Sequence, residues 1–201
     1  MSLNYGIIGT GMMGCEHIRN LKQIPDVNIS AIADPNENSR AWGMSACGDI
    51  FKPQQYTDYK ELLKREDIDV VVVASPNFTH IDVMRDIFET DKHVLLEKPM
   101  CTNLKDGLEV LEMSKKHKGI VWIGLEYRFM APIQSVIDHA SEVGNIKMLS
   151  IREHRFPFLE KVGNWNRFNE NTGGTLVEKC CHFFDLMRFI SGSNPVQVFA
   201  S

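Results

Sequence analysis

The residues best suited to chemistry in this 201-residue chain begin with Gly9-Thr10-Gly11-Met12-Met13-Gly14, directly after the apolar run Tyr5-Gly6-Ile7-Ile8. A G-x-G-x-x-G that closes a first strand and opens a first helix is a dinucleotide-binding fingerprint. Gly9 allows the tight turn, Gly11 lets the backbone approach a pyrophosphate, and Gly14 lets helix and strand pack closely. The free N–H groups at the helix start then face the anion. Asp34 follows Gly14 by 20 residues, at the end of the β-type run 27–33. A carboxylate there accepts hydrogen bonds from the adenosine ribose hydroxyls and repels a 2′-phosphate, so NAD is favoured over NADP. Arg40, close by, softens that preference. Taken alone, Asp34 also reads as a helix cap or a turn residue before Pro35.

Three further segments carry reactive side chains. Ser75-Pro76-Asn77-Phe78-Thr79-His80 follows the run 70–74, and Glu97-Lys98-Pro99 follows His93-Val94-Leu95-Leu96. Both lie at strand ends, the place where open parallel sheets bind ligands. Pro76 stops its strand and Asn77 can cap the next helix. A lysine beside a nicotinamide can hydrogen-bond a substrate hydroxyl and help relay its proton; a surface Lys–Glu pair is the plainer alternative. Glu178, His182 and Asp185 fall at i, i+4 and i+7 of a predicted helix over 176–190, on one face, with Lys179 directed elsewhere. Leu176, Cys180, Phe183, Leu186, Met187 and Phe189 supply the apolar packing of that helix. Adjacent Cys180 and Cys181 diverge by about 100° on a helix, so no metal site with His182 is expected.

These segments need elements to hold them. Strands are predicted at 5–8, 27–33, 70–74, 93–96 and 120–123, alternating with helices at 15–21, 37–46, 58–65, 77–90 and 103–117. The alternation implies an α/β fold, a doubly wound parallel sheet with helices on both faces. Leu104, Leu108, Leu111 and Met113 repeat at helical spacing on the last of these helices. Beyond residue 124 the pattern changes to a helix at 133–143, a strand at 147–154, an irregular aromatic- and Asn-rich stretch at 156–171, the helix 176–190 and a strand starting at 196.

Composition narrows the function further. A net charge of −4 without a basic run argues against a nucleic-acid surface. The longest apolar run, 70–74, is strand-sized, and no cationic leader precedes the glycine turn, so neither a membrane span nor a signal peptide is expected. Five cysteines, three scattered and two adjacent, fit a reducing cytoplasm better than a disulfide framework.

The glycine hexapeptide, Ser75-Pro76-Asn77-x-x-His80, Glu97-Lys98-Pro99, and the segment from Trp165 through Gly173-Gly174 to His182 and Asp185 together resemble the glucose–fructose oxidoreductase / inositol dehydrogenase / MocA family. The likeness covers nearly the whole chain. It implies a Rossmann domain over 1–124, then, over 125–201, the beginning of an α/β domain with a mostly antiparallel sheet, cut short here because family members are longer. It implies hydride transfer between NAD and a secondary alcohol or ketone of a sugar, cyclitol or polyol. Lys98 and His182 would be catalytic, with Glu178 completing the set. Ser75, Pro76, Asn77 and His80 would line the nicotinamide end, Glu97 would contact the ribose, and the bond before Pro99 would be cis. Arg128, Trp165 and Asp185 are candidates for substrate contact, with Arg155 and Asn166 in the covering stretch; Arg128 would alternatively pair with a carboxylate at the domain junction. The chain departs from the family pattern in having Glu178 for Asp and Cys180 for Gly. A homodimer or homotetramer is implied. A non-catalytic NAD-binding regulator or redox sensor, and NAD-dependent glycoside cleavage, are the competing readings.

Overall fold

Four consecutive valines decide the architecture. The computed structural model describes residues 2–154 and 159–199. In it, Val70–Val73 form β4 at the middle of a six-stranded parallel sheet. The strands are β1 (Leu3–Ile8), β2 (Val27–Ala33), β3 (Gln54–Tyr56), β4, β5 (His93–Glu97) and β6 (Val121–Gly124), in the order β3-β2-β1-β4-β5-β6. Successive strand side chains point to opposite faces. Val72 therefore joins Ile7, Ile29 and Ile32 beneath α1 (Met12–Leu21) and α2 (Glu37–Cys47), against Cys15, Ile18 and Ala46. Val71 and Val73 join Ile8 and Leu96 on the other face, under α3 (Tyr59–Leu63), α4 (His80–Phe88) and α5 (Leu104–Ser114), against Leu62, Met84 and Val110. Each such side chain contributes about 2 kcal/mol through removal from water. Asn36 caps α2 by accepting from the Ser39 N–H, and Asn103 caps α5 through the Asp106 N–H.

Strand order reverses between β1 and β4, which lie side by side at the centre, because the connections after them lead to opposite edges of the sheet. A crevice opens there at the carboxyl ends of the strands, the place where doubly wound sheets bind ligands. Chain beyond the sheet supplies a 3-10 turn at Glu126–Phe129, then α6 (Ala131–Asp138), α7 (Ala140–Val143), α8 (Asn169–Thr172), α9 (Thr175–Glu178) and α10 (Cys181–Ser191).

Several expectations need correcting. β3, three residues pairing with Ala31–Ala33, is too short and polar for periodicity to reveal. Residues 147–154 and 196–199 are not strands; no neighbouring strand among the described residues offers them a ladder. The helix expected at 133–143 is interrupted at His139. On α5, Val110 faces the sheet, while Leu104, Leu108 and Leu111 are 77%, 52% and 46% exposed, so the leucine stripe lies on the outer side. The helix expected at 176–190 breaks at Lys179 and Cys180 into α9 and α10.

Candidate active site

Gly9 adopts φ 88°, a conformation that favours glycine, and its N–H donates to the Ala33 carbonyl at 2.8 Å. A Cβ on Gly14 would stand 1.9 Å from the Gly9 oxygen, whereas one on Gly11 would meet no protein atom within 4 Å. The turn is thus tight where helix and strand meet and open where a pyrophosphate would approach. It forms one wall of a cleft of about 1350 Å³. Gly9, Gly11, Met12, Met13, Asp34, Ser75, Pro76, Asn77, Glu97, Lys98 and Glu178 all line this cleft; Leu159, Lys161, Val162 and Trp165 line it from the later part of the chain.

The supporting contacts explain how each group is aimed. Asp34 Oδ2 accepts from the Thr10 N–H and Oδ1 from the Asn36 N–H, both at 2.9 Å, so backbone donors fix the carboxylate beside the cleft. Thr10 itself is fully buried, and it and Gly14 act behind the wall. Arg40 donates to the Asp34 and Pro35 carbonyls. Replacing Asp34 by Ser should remove the repulsion of a 2′-phosphate and the ribose acceptor together. Calorimetric titration should show NAD binding weakened about tenfold and the preference over NADP lost; an unchanged preference would refute the role of Asp34.

Asn77 is buried at the end of β4, and its Nδ2 has no hydrogen-bond partner among the described residues. An unpaired buried donor on the cleft wall suits an acceptor of a bound ligand. His80, expected in the wall, is instead wholly buried behind it. Its Nδ1 lies 2.9 Å from the Pro99 carbonyl and its Nε2 3.1 Å from the Ser75 carbonyl, so it ties the two loops together. Burial, opposed by these carbonyls, lowers its pKa.

Glu97, Lys98 and Pro99 follow β5, and the Lys98–Pro99 bond is cis. Glu97 is buried, with Oε1 2.7 Å from His17 Nε2 and Oε2 accepting from the Lys98 N–H at 3.2 Å. His17 was not anticipated; its place on α1, one turn after Gly14, is the only sequence cue. Lys98 Nζ donates to the Glu178 carbonyl at 3.2 Å, joining positions 80 residues apart. His182 lies beneath this contact and is 2% exposed, so it backs the cleft rather than lining it. Its Nε2 is 3.5 Å from Glu126 Oε1, and its Nδ1 has no hydrogen-bond partner among the described residues. Burial first, then the charges of Lys98 and Lys179, push its pKa down to about 4. The imidazole is therefore neutral at pH 7, able to accept a proton.

The helix break overturns the expected direction of Lys179. Its side chain turns inward, pairs with Glu153 at 3.0 Å and contacts the Tyr127 hydroxyl. The Tyr127 ring stacks on His182, centroids 4.0 Å apart and planes at 9°. Lys161, also missed by sequence reasoning, stands in the wall, and burial, then the Lys98 charge, lowers its pKa. Its local sequence carries no motif.

Asp185, a candidate for substrate contact, is taken up by Arg128, which thereby follows the second of its two expectations, pairing with a carboxylate. Arg128 Nε donates to Asp185 Oδ2 at 2.6 Å, and a second guanidinium nitrogen binds Oδ1. Neither lines the cleft; the bidentate pair fastens the 126–129 turn to α10. Trp165 does line it, edge-on to Phe78 with centroids 6.2 Å apart. Asn166 is buried and donates to the Leu159 carbonyl, shaping that wall. Arg155 lies outside the described residues.

Fold and cleft define a dinucleotide-binding Rossmann domain, and comparison with known proteins gives that class a family. The chain belongs to the Gfo/Idh/MocA oxidoreductase family: residues 3–125 match its NAD-binding Rossmann fold and residues 139–201 its C-terminal α/β domain. Among its relatives, the uncharacterized oxidoreductase YrbE of Bacillus subtilis is 30% identical over 97% of this chain and 55% of its own length. The myo-inositol 2-dehydrogenase of Thermotoga maritima is 29% identical over 98% of this chain and 58% of its own. A crystal structure of a probable dehydrogenase from T. maritima superimposes with a TM-score of 0.77 at 29% identity, covering 96% of this chain and 56% of that one. The chain thus spans little more than half the length of these relatives. No helix among the described residues is long and apolar enough to cross a membrane.

Proposed function

We propose that the protein is an NAD-dependent dehydrogenase of a cyclitol or sugar, oxidising one secondary alcohol to a ketone or reducing the ketone back. The observation that carries this reading is the meeting of Lys98 with the Glu178 carbonyl above a buried, neutral His182, at the end of the strand that flanks the dinucleotide cleft. Relatives named inositol dehydrogenases support the substrate class. Residues 125–201 are read as the beginning of a second α/β domain with a mostly antiparallel sheet, through which a homodimer or homotetramer would assemble in the cytoplasm.

Bound NAD supplies the hydride acceptor. Asp34 would hold the adenosine ribose and the N–H groups around Gly11 the pyrophosphate. Asn77 Nδ2 and the Glu97 carboxylate would face the nicotinamide half. Lys98 Nζ would donate a hydrogen bond to the reacting hydroxyl and stabilise negative charge as its proton leaves. His182 would accept that proton, so that the alcohol loses one hydride and one proton and becomes a ketone. Glu178 would orient Lys98 through its main chain. Trp165 would present its face to the C–H surface of a ring.

The test is absorbance of the reduced nicotinamide during incubation with NAD and a panel of inositols, hexoses and linear polyols. Turnover confined to cyclitols or sugars is expected. Tight NAD binding without turnover on any member would instead favour the regulator or sensor, and release of free sugar from glycosides would favour glycoside cleavage.

A further inference from the structure

We propose that Lys179 is a positioning residue for His182: through Tyr127 it fixes the imidazole plane and sets the pH at which that ring takes a proton. The proposal rests on the reading of His182 as the proton acceptor, but its central observable does not depend on turnover.

Lys179 occupies the break between α9 and α10, where φ −109° and ψ −48° differ from a continuous helix. The break carries the side chain inward, to 8% exposure. Burying an ammonium is expensive unless it is paired and bonded. Here the pairing is built from three sides. Glu153 Oε1 lies 3.0 Å away, the Tyr127 hydroxyl is in contact, and the ammonium stands 4.6 Å from the Tyr127 ring centroid and 5.5 Å from that of Phe183. The opposite side of the arrangement is the site itself, because the Tyr127 ring lies flat on His182. Lysine, tyrosine and histidine thus follow one another in contact, the cation at the Tyr127 hydroxyl edge and the base on the face of the ring. A fixed positive charge at the edge of the ring that covers the imidazole, in surroundings of low polarity, opposes an imidazolium and leaves a neutral ring undisturbed.

The other groups facing His182 do not make Lys179 redundant. Lys98, from the end of β5, adds a second positive charge. Glu97 beside it and Asp185 on α10 act in the opposite sense, and Asp185 is already committed to Arg128. Glu126, from the 126–129 turn, lies 3.5 Å from Nε2 but is half exposed. Cys181 sits one residue before the imidazole, and burial raises its thiol pKa, so it brings no charge. Lys98 must also serve the substrate, so Lys179 is the cation free to act on the histidine alone. It holds the base empty at neutral pH and at the same time weakens it.

The experiment follows the His182 imidazole by heteronuclear NMR of the whole chain, its signal assigned by disappearance in His182→Gln. The parent midpoint is expected at about 4. Lys179→Met should raise it by about one pH unit or more, and Lys179→Arg, which keeps the charge, should leave it low. A midpoint unmoved in Lys179→Met, or moved equally by Arg and Met, overturns the proposal. The double variant Lys179→Met/Glu153→Gln leaves no unpaired charge behind and should show the same rise if the single variant does not fold. Failure of both to fold would make Lys179 purely structural and overturn the proposal as well. In parallel, the acidic limb of kcat/KM for myo-inositol should move up with the midpoint. A midpoint that rises while the limb stays fixed would uphold the action of Lys179 on the ring and refute His182 as the base.

Discussion

Lys98→Met is expected to lower kcat with the best cyclitol by roughly a thousandfold, while the Kd for NAD stays within about threefold of the parent. The separation follows from how the turn is held. Lys98 contributes its Nζ to the Glu178 carbonyl and the cleft, but its backbone N–H donates to Glu97 and the next carbonyl, Pro99, meets His80. Truncating the ammonium leaves both anchors in place. Glu97 keeps its contact with His17, so the wall facing the cofactor keeps its shape. On the proposed mechanism, what is lost is a cation able to donate to the reacting oxygen as negative charge grows there, an interaction stronger in the transition state than before it. Steady-state kinetics with calorimetry check the split. Equal losses in NAD affinity and in turnover would assign Lys98 to cofactor binding and remove it from the proton chemistry.

Gly14→Ala is expected to destabilise the fold by about 3 kcal/mol and to abolish measurable NAD binding. The added methyl would sit 1.9 Å from the Gly9 oxygen and 2.9 Å from the Gly9 carbonyl carbon, both backbone atoms that cannot swing aside. Either α1 lifts from β1, opening the core at Cys15 and Ile18, or the turn at Gly9 gives way and its N–H groups no longer converge. Gly11→Ala is the control. Its methyl meets no protein atom, so stability should stay within about 1 kcal/mol while NAD affinity still falls, because the methyl occupies space the pyrophosphate needs. Thermal unfolding with and without NAD separates the two. A Gly14→Ala protein that melts with the parent would show that α1 has room the packing does not suggest.

Much of the sheet was legible because its signals are local. Valines 70–73 read as a strand buried on both faces and are one. The glycine turn, Asp34 and the Lys98 turn fall where the strand ends put them, since a parallel sheet delivers all its carboxyl ends to one side. Legibility failed where side-chain direction depends on the partner. The stripe Leu104–Leu108–Leu111 has perfect helical spacing, yet Val110 is what faces the sheet. Arg128 and Asp185 have the right chemistry for a substrate, but they are 57 residues apart and spend it on each other. The helix break at Lys179 had no proline or glycine to announce it, and without the break Lys179 would point away from His182. His80 was placed correctly in sequence and wrongly in depth, because a hexapeptide pattern does not say which side of a loop a ring occupies.

The sixth strand closes the sheet at Gly124, and every strand by then has its neighbours. On a ribosome the remaining residues take several seconds to emerge. The dinucleotide cradle can therefore assemble, and be captured by NAD, before His182, the proposed proton acceptor, has been translated. Ligand capture of that kind favours the folded nascent chain by mass action.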